Sequence, residues 1–240
     1  MTPDIFIVVV ITSFIQSLFG VGVLLFGTPL LLLLGYDFIH VVTILLPISL
    51  SINIIQISKD HRYIDLIFYK KILFYTIPFV VLFLFIVTRV SININIIIGL
   101  FLLFVAAKNF SVRINNILKS LVRHEKSYFA LMGIVHGLTN LGGSLLTAII
   151  HSKEYGKNEA RATIAVSYGT FALFQMLTLL LSGYSINISL SGLGIYLAAG
   201  LTIFVFTEKL VYTDINRENY TRSFATFLLL SGLLLCIKHF

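Results

Sequence analysis

The chain has 240 residues, of which 58% are hydrophobic and 11% charged, with a mean hydropathy of +1.00 and a net charge of +7. A soluble domain carries about a quarter charged residues to keep its surface wet, so this composition excludes a water-soluble globule and points to lipid as the solvent. The one cysteine, Cys236, excludes a disulfide framework and a cysteine-based metal centre.

A spanning helix needs about 20 mostly apolar residues. Taken in chain order, the apolar runs fall at 4–20, 23–35, 38–57, 66–88, 92–107, 128–141, 143–151, 160–182, 188–207 and 222–238. The first carries Asp4, no Lys or Arg and no following A-x-A site, so it is expected to stay as a membrane helix and not to be removed as a signal. The runs are continuous, not alternating as in a β-barrel. The expected fold is an all-α polytopic membrane protein of about ten hydrophobic segments.

If each segment reverses the chain, one side receives the loops at 58–71, 108–127, 151–161 and 208–222. They hold fifteen of the seventeen Lys and Arg, leaving Arg89 and Lys238 for the other side. The positive-inside rule then makes those four loops cytoplasmic and both termini external. The charge is thereby explained without nucleic acid. Within 108–127, Ile114, Ile117, Leu118, Leu121 and Val122 recur at helical spacing among basic residues. That pattern suits a surface helix or a solvated linker; on either reading it divides a first repeat, 1–107, from a second, 128–240.

A shift of 120 residues aligns "QSLFGVGVLLFGT" at 16–28 with "HGLTNLGGSLLTA" at 136–148, with Leu18 on Leu138, Gly22 on Gly142 and Leu25 on Leu145. Each half reads as helix, short run, then three full helices. With five segments per half, the second starts on the side where the first ended, which is the signature of an inverted-topology repeat. The short runs 23–35 and 143–151 reach at most ~20 Å at about 1.5 Å per residue, too little to cross roughly 30 Å of hydrocarbon. Each is expected to be half of a hairpin turning inside the membrane.

Backbone that leaves a helix at membrane depth must be buried in protein or line a wet cavity. The turns at Gly20-Val21-Gly22 and Asn140-Leu141-Gly142-Gly143 are therefore candidates for two sides of one central site. Helix N-termini just after them would favour an anion. The competing reading is that Gly20, Gly22, Gly142 and Gly143 only allow close helix packing.

Polar side chains gather near the same segments: Ser13, Gln16, Ser17 and Thr28 about the first turn, and His136, Thr139, Asn140, Ser144 and Thr147 about the second. The third and eighth segments add Ser49, Asn53 and Gln56, and Ser167, Tyr168, Thr170 and Gln175. Such groups orient an oxyanion without a fixed charge, or simply hydrogen-bond between helices. The expected substrate contacts are Gln16, Thr139, Asn140 and His136 with the four glycines. His136 is suited to carry a coupled proton or to pack as a neutral ring. Lys157 and Arg161 are expected at the cytoplasmic mouth. Pro29 is placed to shape the first hairpin, and Pro47 and Pro78 to kink helices. No zinc-protease motif, Walker loop, complete dinucleotide fingerprint or membrane carboxylate pair is present, so an enzyme is not expected, and no cofactor.

With these residues in view, the chain resembles the sulfite exporter TauE/SafE family. The first half's pattern is carried by "FIQSLFGVGVLLFGTPLLLLLGYDFIHVVTILLPISL" and the second's by "GIVHGLTNLGGSLLTAIIHSKEYGKNEARATIAVSYGTFALFQ". The chain departs from that pattern where the first turn reads GVGVLLFGTP in place of three glycines, and where Ile149 stands at a proline position. The resemblance implies transport of small anions such as sulfite or sulfonates across a prokaryotic cytoplasmic membrane, with the glycine turns lining the path. The alternatives are a non-transporting membrane scaffold and a carrier of a cation or neutral solute.

Overall fold

The structure is a computed structural model that describes residues 2–90, 93–107, 121–153, 155–184, 189–211 and 217–239. Among these, the regular structure is helical: α1 Pro3–Phe19, α2 Val23–Leu33, α3 Phe38–Asp60, α4 Leu66–Tyr75, α5 Ile77–Arg89, α6 Ile94–Ala107, α7 Glu125–Thr139, α8 Gly143–His151, α9 Lys157–Leu181, α10 Leu190–Val211 and α11 Arg217–His239, with a short 3-10 turn at His61–Tyr63. The expected surface helix lies for the most part, at 108–120, outside the described residues.

The apolar runs reappear as helices because unbroken Ile, Leu, Val and Phe leave the backbone no better partner than itself in lipid. Among the described residues, four stretches are long and apolar enough to cross a membrane: Phe38–Tyr63, Leu66–Arg89, Lys157–Leu181 and Ser191–Glu208. The two short runs are short helices, α2 with 11 residues and α8 with 9.

The prolines act unequally. Pro29 and Pro47 sit inside uninterrupted helices, whereas Pro78 stands in the first turn of α5. The run at 66–88 is therefore interrupted at Thr76, the junction of α4 and α5, within one apolar stretch of 24 residues. Pro78 has no N–H to offer the preceding turn, and Thr76 marks the break: its hydroxyl donates to the Phe129 carbonyl of α7 at 3.1 Å.

The core pairs distant segments. α3 packs along α9, α6 along α11, α1 along α10, and α5 along α7. Exchanging the first five runs with the last five maps α1–α10 onto α7–α5 and returns the other two pairs to themselves. Glycines permit the closest approaches. A methyl group on Gly133 would lie 2.4 Å from the Thr76 carbonyl oxygen, and one on Gly137 2.7 Å from that of Val80, so the four-residue spacing lets α7 lie directly on the α5 backbone.

Charged groups collect at one end of the bundle. There Glu125 binds Lys71 and, at 2.7 Å, Lys153, and the Asp65 carboxylate accepts the Tyr155 hydroxyl. The opposite end holds the Tyr36–Asp4 hydrogen bond at 2.6 Å and the Lys238–Leu33 contact at 2.9 Å.

Hydrogen bonds from Lys153 and then Lys71 hold the Glu125 carboxyl below the usual glutamate range. Because the folded value is depressed, this stabilisation is present above the ordinary glutamate range and is lost as pH falls through the folded value. Glu125→Gln is expected to flatten the acid limb of thermal stability. Melts from neutral to acid pH check this, and an acid limb identical to that of the unaltered chain would overturn it.

Candidate functional site

Both expected turns are present and share one construction. α1 ends on Gly20 with φ 76°, and α7 ends on Asn140 with φ 65°. These are left-handed conformations, open to glycine and tolerated by asparagine. The two positions are 120 residues apart, as are Gly22 and Gly142, the residues that open α2 and α8.

The same spacing relates Gln16 and His136, and both do the same work. Gln16 Oε1 accepts the Val23 N–H at 3.0 Å, and His136 Nδ1 accepts the Gly142 N–H at 3.2 Å. Each side chain reaches forward over its turn and satisfies an orphan donor at the next helix start. Since an N–H needs a lone pair, His136 Nδ1 carries no proton. Its Nε2 then donates to Gln175 Oε1 at 3.0 Å, and the ring also packs against Phe171 at 4.6 Å. Both nitrogens of His136 are engaged within the protein.

Thr139 is engaged as well: its hydroxyl donates to Val135 O at 2.6 Å and accepts the Leu141 N–H at 3.2 Å. The glycines are held by contact. A methyl group on Gly22 would fall 2.5 Å from Gln16 N and Thr12 O, one on Gly142 2.5 Å from His136 Cβ, and one on Gly143 2.4 Å from Tyr168 Oη. The packing reading of these three glycines therefore has direct geometric support.

The turns meet on one helix. A methyl group on Gly20 would lie 3.8 Å from Ile164 Cγ2 and 4.0 Å from Arg161 Cγ, while Gly143 abuts Tyr168. Ile164 and Tyr168 are one turn apart on α9, roughly 6 Å along its axis at 1.5 Å per residue. Asn140 Nδ2 also donates to Thr28 Oγ1 of α2 at 2.9 Å. Thr28 lies five residues beyond the start of α2, so the tips overlap side by side and do not meet end to end.

Several fully buried polar atoms nearby have no partner in the protein: Ser13 Oγ, Gln16 Nε2, Asn53 Oδ1, both ends of the Gln56 amide, Asn140 Oδ1 and Tyr168 Oη. Leaving a buried polar group unpaired costs about 1–3 kcal/mol. Buried polar groups are ordinarily hydrogen-bonded, so these atoms stand apart from the rest of the bundle.

Arg161 is held in an ion-pair network. Its side chain is only 11% exposed; it pairs with Glu208 of α10 and lies 4.0 Å from the Asp60 carboxylate, while Lys59 meets Glu208 from the other side. Ser17 of α1 accepts the Thr207 hydroxyl at 2.7 Å, tying α1 to α10 one residue away. Among the described residues, no group of three or more His, Cys, Asp or Glu is placed to hold a metal ion.

The whole arrangement, from the first helix to the last, is covered by one family match: the model for the sulfite exporter TauE/SafE fits residues 5–235. The chain belongs to the TauE/SafE family. No curated protein and no solved structure matches it. As a TauE/SafE chain with long apolar helices, it is a multi-pass membrane protein of a transporter family.

Sequence reasoning for this TauE/SafE chain missed Gly133 and Gly137, whose G-x-x-x-G spacing was the available signal. It also missed Glu208, because a carboxylate at the end of an apolar run reads as part of the loop. Asn53, Gln56 and Tyr168 stand outside the expected substrate contacts; that Asn53 Oδ1, both ends of the Gln56 amide and Tyr168 Oη lack a hydrogen-bond partner is visible only in three dimensions.

Proposed function

We propose that the chain is a secondary transporter that moves a small anion, such as sulfite or a sulfonate, by alternating access about its two hairpins. The observation that carries this reading is the group of buried, unpartnered amides and hydroxyls where the hairpin tips overlap. Gln16 Nε2 and Tyr168 Oη are donors placed beside the turns, and neutral donors in a dry site hold an oxyanion strongly. The mirrored helix pairs support an inverted repeat, in which one half rocks against the other around the site. We place the Lys- and Arg-rich end in the cytoplasm and both termini outside.

In this reading Asn140 and Gln16 touch the substrate, while His136 and Thr139 hold the second turn in shape. Gly20, Gly22, Gly142 and Gly143 bring main chain close to the ligand. A coupled proton or other ion would use a group outside the His136 network.

Thermal shift of purified protein against a panel of small anions tests the site, since a ligand of the native state raises its stability by mass action. At a hundred times its dissociation constant an anion adds about 2.7 kcal/mol. Sulfite or a sulfonate is expected to raise the melting temperature, and Asn140→Ala and Gln16→Ala to remove the rise. A rise that persists in both variants would place the ligand elsewhere.

The second reading, a non-transporting scaffold, draws on the tight packing at Gly22, Gly142 and Gly143. It predicts that no anion raises the melting temperature at all.

A further inference from the structure

The unpaired atoms are not all donors, and that restricts the ligand. Gln16 Oε1 holds a backbone N–H, so its free end is the NH₂ donor. Asn53 Nδ2 donates to the Ser49 carbonyl at 2.7 Å, so its free end is the acceptor Oδ1. Because each amide is anchored to a main-chain group of fixed polarity, neither can be turned round without losing a hydrogen bond. Gln56, one helical turn further along α3 from Asn53, has both its donor and its acceptor free and is fully buried.

The α3–α9 pairing sets the depth of these amides. A methyl group on Gly169 would lie 3.2 Å from Asn53 Cβ, and Asp60 lies 4.0 Å from Arg161. These two anchors fix antiparallel helices in register, so Gln56 falls between them, level with Ile164–Tyr168 of α9. Both hairpin turns contact that same layer, Gly20 beside Ile164 and Gly143 beside Tyr168. Asn53 and Gln56 are three residues apart and share one face of α3.

We propose that Asn53, Gln56 and Tyr168 complete the ligand site, and that its ligand is a small oxyanion that also carries a hydrogen-bond donor of its own. The oxyanion oxygens take the N–H groups of Gln16 and Gln56 and the Tyr168 hydroxyl. The ligand's donor satisfies Asn53 Oδ1 or Gln56 Oε1, acceptors that a bare oxyanion would leave unpaired or repel. A site that hydrogen-bonds a substrate hydroxyl rejects the analogue lacking it, because the site's own polar groups are then stranded. This inference rests on the anion-transport reading and narrows its substrate class.

The test compares two anions of equal charge, 2-hydroxyethanesulfonate and ethanesulfonate, as competitors of sulfite uptake in proteoliposomes. The unaltered protein is expected to bind the hydroxylated sulfonate at least tenfold more tightly. Asn53→Leu and Gln56→Leu, made separately in case one fails to fold, are expected to reduce that ratio toward one. Equal competition by the two sulfonates in the unaltered protein would overturn the inference while leaving anion transport standing. So would a hydroxyl preference undiminished in both variants. Absence of sulfite uptake and of competition by either sulfonate would instead remove the transport reading, and this inference with it.

Discussion

Gly22→Ala is expected to destabilise the protein by about 3 kcal/mol, at the upper end of what overpacking costs. The new methyl group would sit 2.5 Å from both Gln16 N and Thr12 O and 2.7 Å from Gln16 Cα. All three are main-chain atoms of α1, so no rotamer change relieves the overlap; the turn must open, and the Gln16 cap on Val23 goes with it. Gly194→Ala is the control. Nothing lies within 4 Å of a methyl group there, and alanine is favoured over glycine inside a helix by up to about 1 kcal/mol. The two variants should therefore move the melting temperature in detergent in opposite directions. A Gly22→Ala protein that melts with the unaltered one would show that the first turn is not built as described.

Glu208→Gln is expected to cost about 3 kcal/mol, the lower end for breaking a buried ion pair from one side. Glu208 is 9% exposed and joins Arg161 to Lys59. With its charge removed, the largely buried Arg161 loses its ion pair with Glu208 and keeps Asp60 at 4.0 Å, whereas Lys59, 45% exposed, recovers its hydration. Removing both buried charges at once, Glu208→Gln with Arg161→Met, should recover part of the loss, because neither buried charge is then left without its partner. Chemical denaturation of the three proteins checks the order. A double variant less stable than the sum of the singles would refute the pairing.

The network also matters for position. Arg161 Cγ borders the Gly20 turn, and Glu208 follows Thr207, which donates to Ser17 of α1. Ends of α3, α9 and α10 are thus bound together next to the tip of the first hairpin.

The helices were legible because lipid makes one demand on every apolar run: satisfy the backbone internally. The run at 143–151 coincides with α8, and the turn at Gly20 to Gly22 lies where glycine opens the left-handed conformation to the chain. The break at Thr76 was not legible. Pro78 looked like any other proline, and whether a proline bends a helix or restarts it depends on neighbours such as Phe129.

The site was half legible. Asn140, Gln16 and His136 stood out as polar residues in apolar surroundings, yet composition does not say which of their atoms are already used. Gln16 Oε1 and both His136 nitrogens serve the protein itself. Partners 6, 7 or 39 residues distant carry no periodic signal, so the division between turn-holding and unpaired atoms emerged only from the packed structure.

The most direct measurement of the central claim is uptake of radiolabelled sulfite into proteoliposomes, with a sulfonate as competitor. Saturable uptake is expected, suppressed by excess sulfonate and lost in Asn140→Ala protein that still reconstitutes as a folded monodisperse species. Folded protein that takes up no sulfite and no sulfonate above empty liposomes would contradict the account.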